Sequence, residues 1–134
     1  LILIGNGTGL AGLRAHLCER HALGQHGHWL LYGERNAAHD SLLTEELEAW
    51  LASGHLARLD RVFSRDQAER RYVQHLLRDQ ADALREWIDN GASLLICGSL
   101  EGMGREVDAL LRGLLGSERV DDLARSGRYR RDLY

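Results

Sequence analysis

Leu1-Ile2-Leu3-Ile4-Gly5-Asn6-Gly7-Thr8-Gly9-Leu10-Ala11-Gly12-Leu13 opens the chain and decides how it folds. Residues 1–4 are wholly apolar, half of them β-branched, and closed by glycine, so they read as a short buried strand. Gly5, Gly7 and Gly9 form the turn. Between residues 10 and 20, Leu10, Leu13 and Leu17 recur at helical spacing with Arg14, His16 and Glu19 among them, which predicts an amphipathic helix. A strand that enters a helix through a glycine turn gathers free backbone N–H groups and the positive helix end at one point, where a phosphate can sit. Glycines serve any tight strand-to-helix turn as well, so this segment alone leaves a purely structural turn open.

The same alternation continues along the chain. Residues 28–32 are a second apolar run ended by Gly33. Asp40 can cap a helix in which Leu43, Leu47 and Trp50 share one face and Glu45, Glu46 and Glu48 the other. Residues 59–63 read as a third strand. A helix is expected over 66–90, with Val73, Leu76, Leu77, Leu84, Trp87 and Ile88 as its apolar positions and Gly91 as its stop. Residues 94–97 form the clearest fourth strand; Met103, Val107, Leu110, Leu111 and Leu114 mark another helix, and residues 128–134 a last strand. Strands alternating with helices predict a three-layer, doubly wound α/β domain with a five-stranded parallel sheet, Rossmann-like, whose ligand crosses the carboxyl ends of the strands.

Composition narrows the function. The 134 residues make one domain, and 44% hydrophobic with 28% charged residues suits a water-soluble globular chain. A net charge of −3 supplies no broad basic field for nucleic acid, so an anionic ligand has to be held locally. Every basic residue apart from histidine is Arg, which suits bidentate phosphate recognition and equally reflects a coding bias. Cys18 and Cys97 fit no zinc spacing, and a reducing, cytoplasmic setting follows by default. The apolar runs are too short to span a bilayer, so no membrane insertion is expected of this domain. The chain starts without Met on an apolar strand, as a domain cut from a longer protein would.

Two segments bear on chemistry. Gly7-Thr8-Gly9-Leu10-Ala11-Gly12 spells the dinucleotide fingerprint GxGxxG, and Glu34 follows the second strand at a distance suited to gripping a ribose, so a conventional NAD-binding Rossmann domain is one reading. After the third strand comes Phe63-Ser64-Arg65-Asp66-Gln67-Ala68-Glu69-Arg70-Arg71-Tyr72-Val73-Gln74, which offers a hydroxyl, guanidinium forks and an aromatic surface for a base. Read by itself, this segment is also a solvated helix start laced with charge pairs. His16, His21, His26 and His28 crowd together in sequence without metal-ligand spacing. Trp29, Trp50 and Trp87 are expected as core anchors, and Cys18 as packing.

Six stretches then fall in a telling order. Gly5-Asn6-Gly7-Thr8-Gly9-Leu10-Ala11, Tyr32-Gly33-Glu34-Arg35-Asn36, Phe63-Ser64-Arg65-Asp66-Gln67, Tyr72-Val73-Gln74, Cys97-Gly98-Ser99 and Arg128-Tyr129-Arg130-Arg131-Asp132-Leu133-Tyr134 resemble the ferredoxin–NADP reductase superfamily nearly end to end. The chain is most similar to the C-terminal domain of the diflavin reductases, the sulfite reductase flavoproteins among them. The resemblance implies an NADP(H)-binding domain spanning residues 1–134. Its partner is an FAD-binding domain earlier in the parent chain, with or without FMN, and its hydride goes to that flavin. By the same resemblance Gly7, Thr8 and Gly9 line the pyrophosphate and nicotinamide side, and Arg35 approaches the pyrophosphate. Ser64 and Arg65 hold the 2′-phosphate, with Arg70 standing where the family has Lys. Tyr72 packs on the adenine end and Gln74 hydrogen-bonds nearby. Cys97 and Asp132 flank the nicotinamide, and Tyr134 stacks on the flavin.

Besides Arg70, the chain departs from the family at three further places: Gly12 stands for the usual Pro, Glu34 for the usual Cys, and Ser99 for the usual Asp. The first makes the GxGxxG match a by-product of a substitution. A non-catalytic domain whose site has decayed is the third reading.

Overall fold

The structure, a computed structural model, describes residues 1–6, 9–34, 41–63, 73–98 and 103–133. Its centre is β1 (Ile2–Asn6), whose first four residues are all buried. On one side β1 pairs in parallel with β2 (His28–Glu34), which pairs with β3 (Leu56–Phe63). On the other side it pairs in parallel with β4 (Leu94–Gly98), and β4 pairs with β5 (Tyr129–Leu133). The order β3-β2-β1-β4-β5 makes an all-parallel five-stranded sheet, as the alternating pattern requires. The winding reverses between β1 and β4, so the crevice between their carboxyl ends is where a ligand of such a fold binds.

Period-two alternation sorts the strand residues between the two layers of helix. Leu3, Leu30, Tyr32, Leu56, Leu95 and Cys97 meet Leu13 and Leu17 of α1 (Gly9–Ala22) and Leu47 of α2 (Ser41–Ser53). Ile2, Ile4, Trp29, Leu31, Leu94, Ile96 and Tyr129 point the other way. They meet α3 (Val73–Asp79), α4 (Ala81–Asp89), α5 (Arg105–Leu115) and α6 (Ser117–Arg125). Both faces of the sheet are therefore covered, which is why its strands read as unbroken apolar runs and not as alternation. Trp29 is fully buried, while Trp50 and Trp87 pack at the margins of the two cores.

Two elements differ from expectation. The helix expected over 66–90 is two helices within its described part, divided at Gln80. The Gln80 N–H is shared between the carbonyls of Leu76 and Leu77, at 3.0 and 3.3 Å, which tightens the turn. The Gln80 side chain is held by Arg58 Nη2 at 2.9 Å. The break lets Val73 and Leu77 on one helix and Leu84 and Ile88 on the other reach the same core. Gly91 does stop the second helix, with φ of 98° and its N–H donating to the Ile88 carbonyl. The short helix α6 has no counterpart in the sequence reading because only Val120 and Leu123 of its nine residues are buried. The cap expected at Asp40 lies outside the described residues. No helix among the described residues is long and apolar enough to cross a membrane.

Candidate functional site

The carboxyl ends of β1, β4 and β5 meet along one rim, and the shapes of their residues explain how closely they approach. Gly5 has no room for a side chain: a Cβ there would lie 2.6 Å from Leu13 Cδ1 and 2.8 Å from the Cys97 carbonyl oxygen. The first neighbour could swing away, but the second is backbone. Gly98, with φ of +147°, is confined twice over, because a Cβ would meet Asn6 Oδ1 at 2.5 Å and Met103 Cε at 2.6 Å. Gly5 thus belongs to β1 and serves close packing of helix and strand, not the turn that the sequence suggested. Gly12 is different. A Cβ there would find Cys97 Sγ at 3.7 Å, an ordinary contact, so the last glycine of GxGxxG answers no steric need.

Cys97 and Asp132 are brought together by register: Cys97 pairs with Asp132 across β4 and β5. Cys97 is 2% exposed, and burial, followed by the nearby Asp132 carboxylate, pushes its thiol up to about 11. It remains a neutral thiol across the physiological range. Asp132 is exposed. The rim therefore offers a neutral sulfur beneath its surface and a carboxylate above it.

β5 is held in that register by a network that the sequence reading did not foresee. Tyr129 OH donates to Asp108 Oδ1 at 2.7 Å, and Arg112 Nε donates to Asp108 Oδ2 at 3.0 Å. Arg131 Nη1 stands 3.9 Å from Asp108 Oδ1 and its guanidinium lies over the Tyr129 ring. Burial raises the Tyr129 hydroxyl well above its ordinary value, and the bond to Asp108 adds to this. The Asp108 carboxyl lies below its usual value: burial, the largest single effect, pushes it up, and the bonds from Tyr129 and Arg112 outweigh that. Asp108 and Arg112 stand four apart on one helix, a spacing visible in the sequence. Tyr129 joining them from another element was not visible.

Of the expected site residues, Cys97, Asp132 and Gln74 have described side chains, and Gly9 is described as the first residue of α1. Gly7, Thr8, Arg35, Ser64, Arg65, Arg70, Tyr72 and Tyr134 lie outside the described residues, as does Ser99. Gln74 turns its amide to α5, where Nε2 donates to Glu106 Oε2, and its Oε1 is buried with no partner among the described residues.

Comparison with known proteins bears on the whole of this chain. Residues 3–109 match the oxidoreductase NAD-binding domain family. The chain is 41% identical, over its full length, to the sulfite reductase [NADPH] flavoprotein alpha-component of Vibrio cholerae. It is 42% identical to that of Shewanella oneidensis and 35% identical to that of Mannheimia succiniciproducens, again over its full length. In each case it spans 24% of the relative, so about a quarter of a longer protein is matched.

Proposed function

The chain belongs to the oxidoreductase NAD-binding domain family, of the ferredoxin–NADP reductase type, and on that premise we propose that residues 1–134 form the NADPH-binding domain of a flavoprotein reductase. One observation carries this reading: the neutral thiol of Cys97 and the carboxylate of Asp132 are register partners at the carboxyl ends of β4 and β5, next to the switch point of the sheet, in a chain similar end to end to relatives named as NADPH flavoproteins. When bound, NADPH would supply a hydride for a flavin held by an FAD-binding domain of the parent chain.

The donor set at the rim fits the nicotinamide end of such a cofactor. Asp132 favours positive charge that develops beside it, and Cys97, being neutral, adds no opposing field. The protein's contribution is position and exclusion of water, holding the reacting atoms about 3–3.5 Å apart. In this proposal Gly7, Thr8, Gly9 and Arg35 hold the pyrophosphate and nicotinamide side. Ser64, Arg65 and Arg70 hold the 2′-phosphate, Tyr72 and Gln74 the adenine end, and Tyr134 covers the flavin. The Gln74–Glu106 bond then opens or is shared when the adenine end is filled. The domain works in the cytoplasm, takes FAD as its hydride acceptor and turns over little without that partner.

Calorimetric titration of the chain with NADP⁺, NAD⁺ and 2′-phospho-AMP tests the reading. NADP⁺ and 2′-phospho-AMP bind and NAD⁺ binds more weakly. Equal affinity for NADP⁺ and NAD⁺ returns the site to a conventional Rossmann type with Glu34 on a ribose, and no binding at all returns it to an interaction domain.

A further inference from the structure

At the end of the sheet opposite the candidate site, four imidazoles pack against one another. His21 lies in the last turn of α1, His26 in the connection to β2, His28 at the start of β2, and His55 just before β3. Ring centroids lie 4.9 Å from His55 to His21, 5.1 Å to His26 and 5.1 Å to His28, all close to perpendicular, with Trp50 a further 5.2 Å away. His55 is completely buried and His28 is 4% exposed. Three members of the histidine run in the sequence therefore converge on a fourth from the far side of α2. No group of three or more potential ligands among the described residues is arranged to hold a metal ion.

Hydrogen-bond geometry limits how many protons this arrangement accepts. His55 Nε2 lies 2.8 Å from the Leu17 carbonyl oxygen, which can only accept, so Nε2 carries hydrogen. His55 Nδ1 lies 2.9 Å from His26 Nδ1, so one hydrogen serves both nitrogens, and a second would set two N–H groups head to head. His28 Nε2 donates to the Gln25 carbonyl at 3.0 Å, while its Nδ1 is buried with no partner among the described residues. A proton on that nitrogen is a buried donor without an acceptor.

The charges that act most strongly on the two buried rings are positive. Arg20 and His21 come from α1, His26 from the connection, and His55 adds its own charge to His28 when protonated. Carbonyls of Leu17 and Gln25 oppose them. Burial is the largest effect, holding His55 below its ordinary value and His28 down to about 4.

We propose that the four-histidine cluster is an acid-sensitive latch, which when neutral ties the end of α1 and the two connections to each other, and when protonated releases them before the sheet unfolds. The backbone bonds it closes over are few: Gly27 N–H reaches the carbonyls of Gly54 and His55 at 3.2 and 3.1 Å, and His28 N–H reaches that of His55 at 3.0 Å. Gly24, Gly27 and Gly54 all have positive φ, so the released segments hinge at residues that tolerate rearrangement. Both buried rings favour the neutral form when folded. The latch is therefore fully closed above the ordinary histidine value of about 6.5 and loosens as pH falls toward about 4.

Amide hydrogen exchange on this chain at pH 7.5 and 5.5, corrected for intrinsic rates, reads the latch directly. For a ring shifted as far as His28, the opening constants of the Gly27 and His28 amides rise roughly tenfold at the lower pH, while those of Ile4 and Ile96 in the central strands change by less than about twofold. An equal rise at all four amides, or no rise at Gly27 and His28, overturns the proposal. In His28→Asn the rise at Gly27 shrinks to a few-fold, and an undiminished rise also overturns it. Should that variant not fold, the measurement on the unaltered chain still decides.

Discussion

At the carboxyl ends of β1 and β4 the chain places Gly5, Asn6 and Gly98 so close together that a single added methyl would collide with backbone or a buried side chain. At the opposite ends of the same sheet it places rings. His28 and His55 are buried there, and Trp29 gives its indole N–H to Asp60 at 2.6 Å while Arg58 covers its face. One end is held by the closeness of backbone, the other by aromatic side chains packed against one another. The small residues let strand and helix backbones close on one another there, whereas rings fill the other end. The candidate ligand site and the ring cluster thus occupy opposite ends of one set of strands.

The contrast is broken most decisively by removing the charge expected to act at the carboxyl end. Arg65→Ala should lose most of the preference for NADP⁺ over NAD⁺, a change of roughly tenfold to a hundredfold, since a charge-assisted bond is worth about 1.5–3 kcal/mol. Titration calorimetry on both nucleotides checks this, and an unchanged ratio places the 2′-phosphate elsewhere.

Gly5→Ala sharpens the steric half of the comparison. Because the Cys97 carbonyl cannot yield as a side chain can, the substitution should cost about 1–3 kcal/mol in denaturant unfolding. Gly12→Ala, with only ordinary contacts around its Cβ, should leave stability at or above that of the unaltered chain. If the two behaved alike, close approach would not be what Gly5 provides.

Tyr129→Phe removes the donor to Asp108 and keeps the ring. It should cost about 0.5–1.5 kcal/mol of stability, or somewhat more because the acceptor is charged, while nucleotide affinity stays within about twofold. A large loss of affinity with little loss of stability would instead make β5 part of the binding surface.

The smallest effect concerns Tyr134. An aromatic contact is worth about 0.5–1.5 kcal/mol beyond burial, and a ring that covers the flavin must leave before a nicotinamide arrives. NADPH offsets that cost through its 2′-phosphate and NADH does not. With the flavin domain restored, deleting Tyr134 should raise kcat/KM for NADH more than for NADPH. An unchanged ratio means that the terminal ring does not gate the flavin.

Much of this protein was determined locally and could be read without the fold. The apolar run ending at Gly5, the helical spacing of Leu10, Leu13 and Leu17, and the stop at Gly91 depend on neighbours a few residues away, so their pattern is written along the chain. The family was equally legible, because each stretch that carries the resemblance is short and contiguous. Other features were decided only in three dimensions. Gly5 was read as part of a turn, and only the approach of Leu13 and the Cys97 carbonyl shows that it is a packing residue. Gln80 breaks a helix whose periodicity runs through it, since two faces must reach one core. His26 and His55 stand 29 residues apart, and Tyr129 and Asp108 stand 21 apart. Nothing local marks such pairs, because their hydrogen bonds exist only once separate elements have packed and water has been excluded from between them.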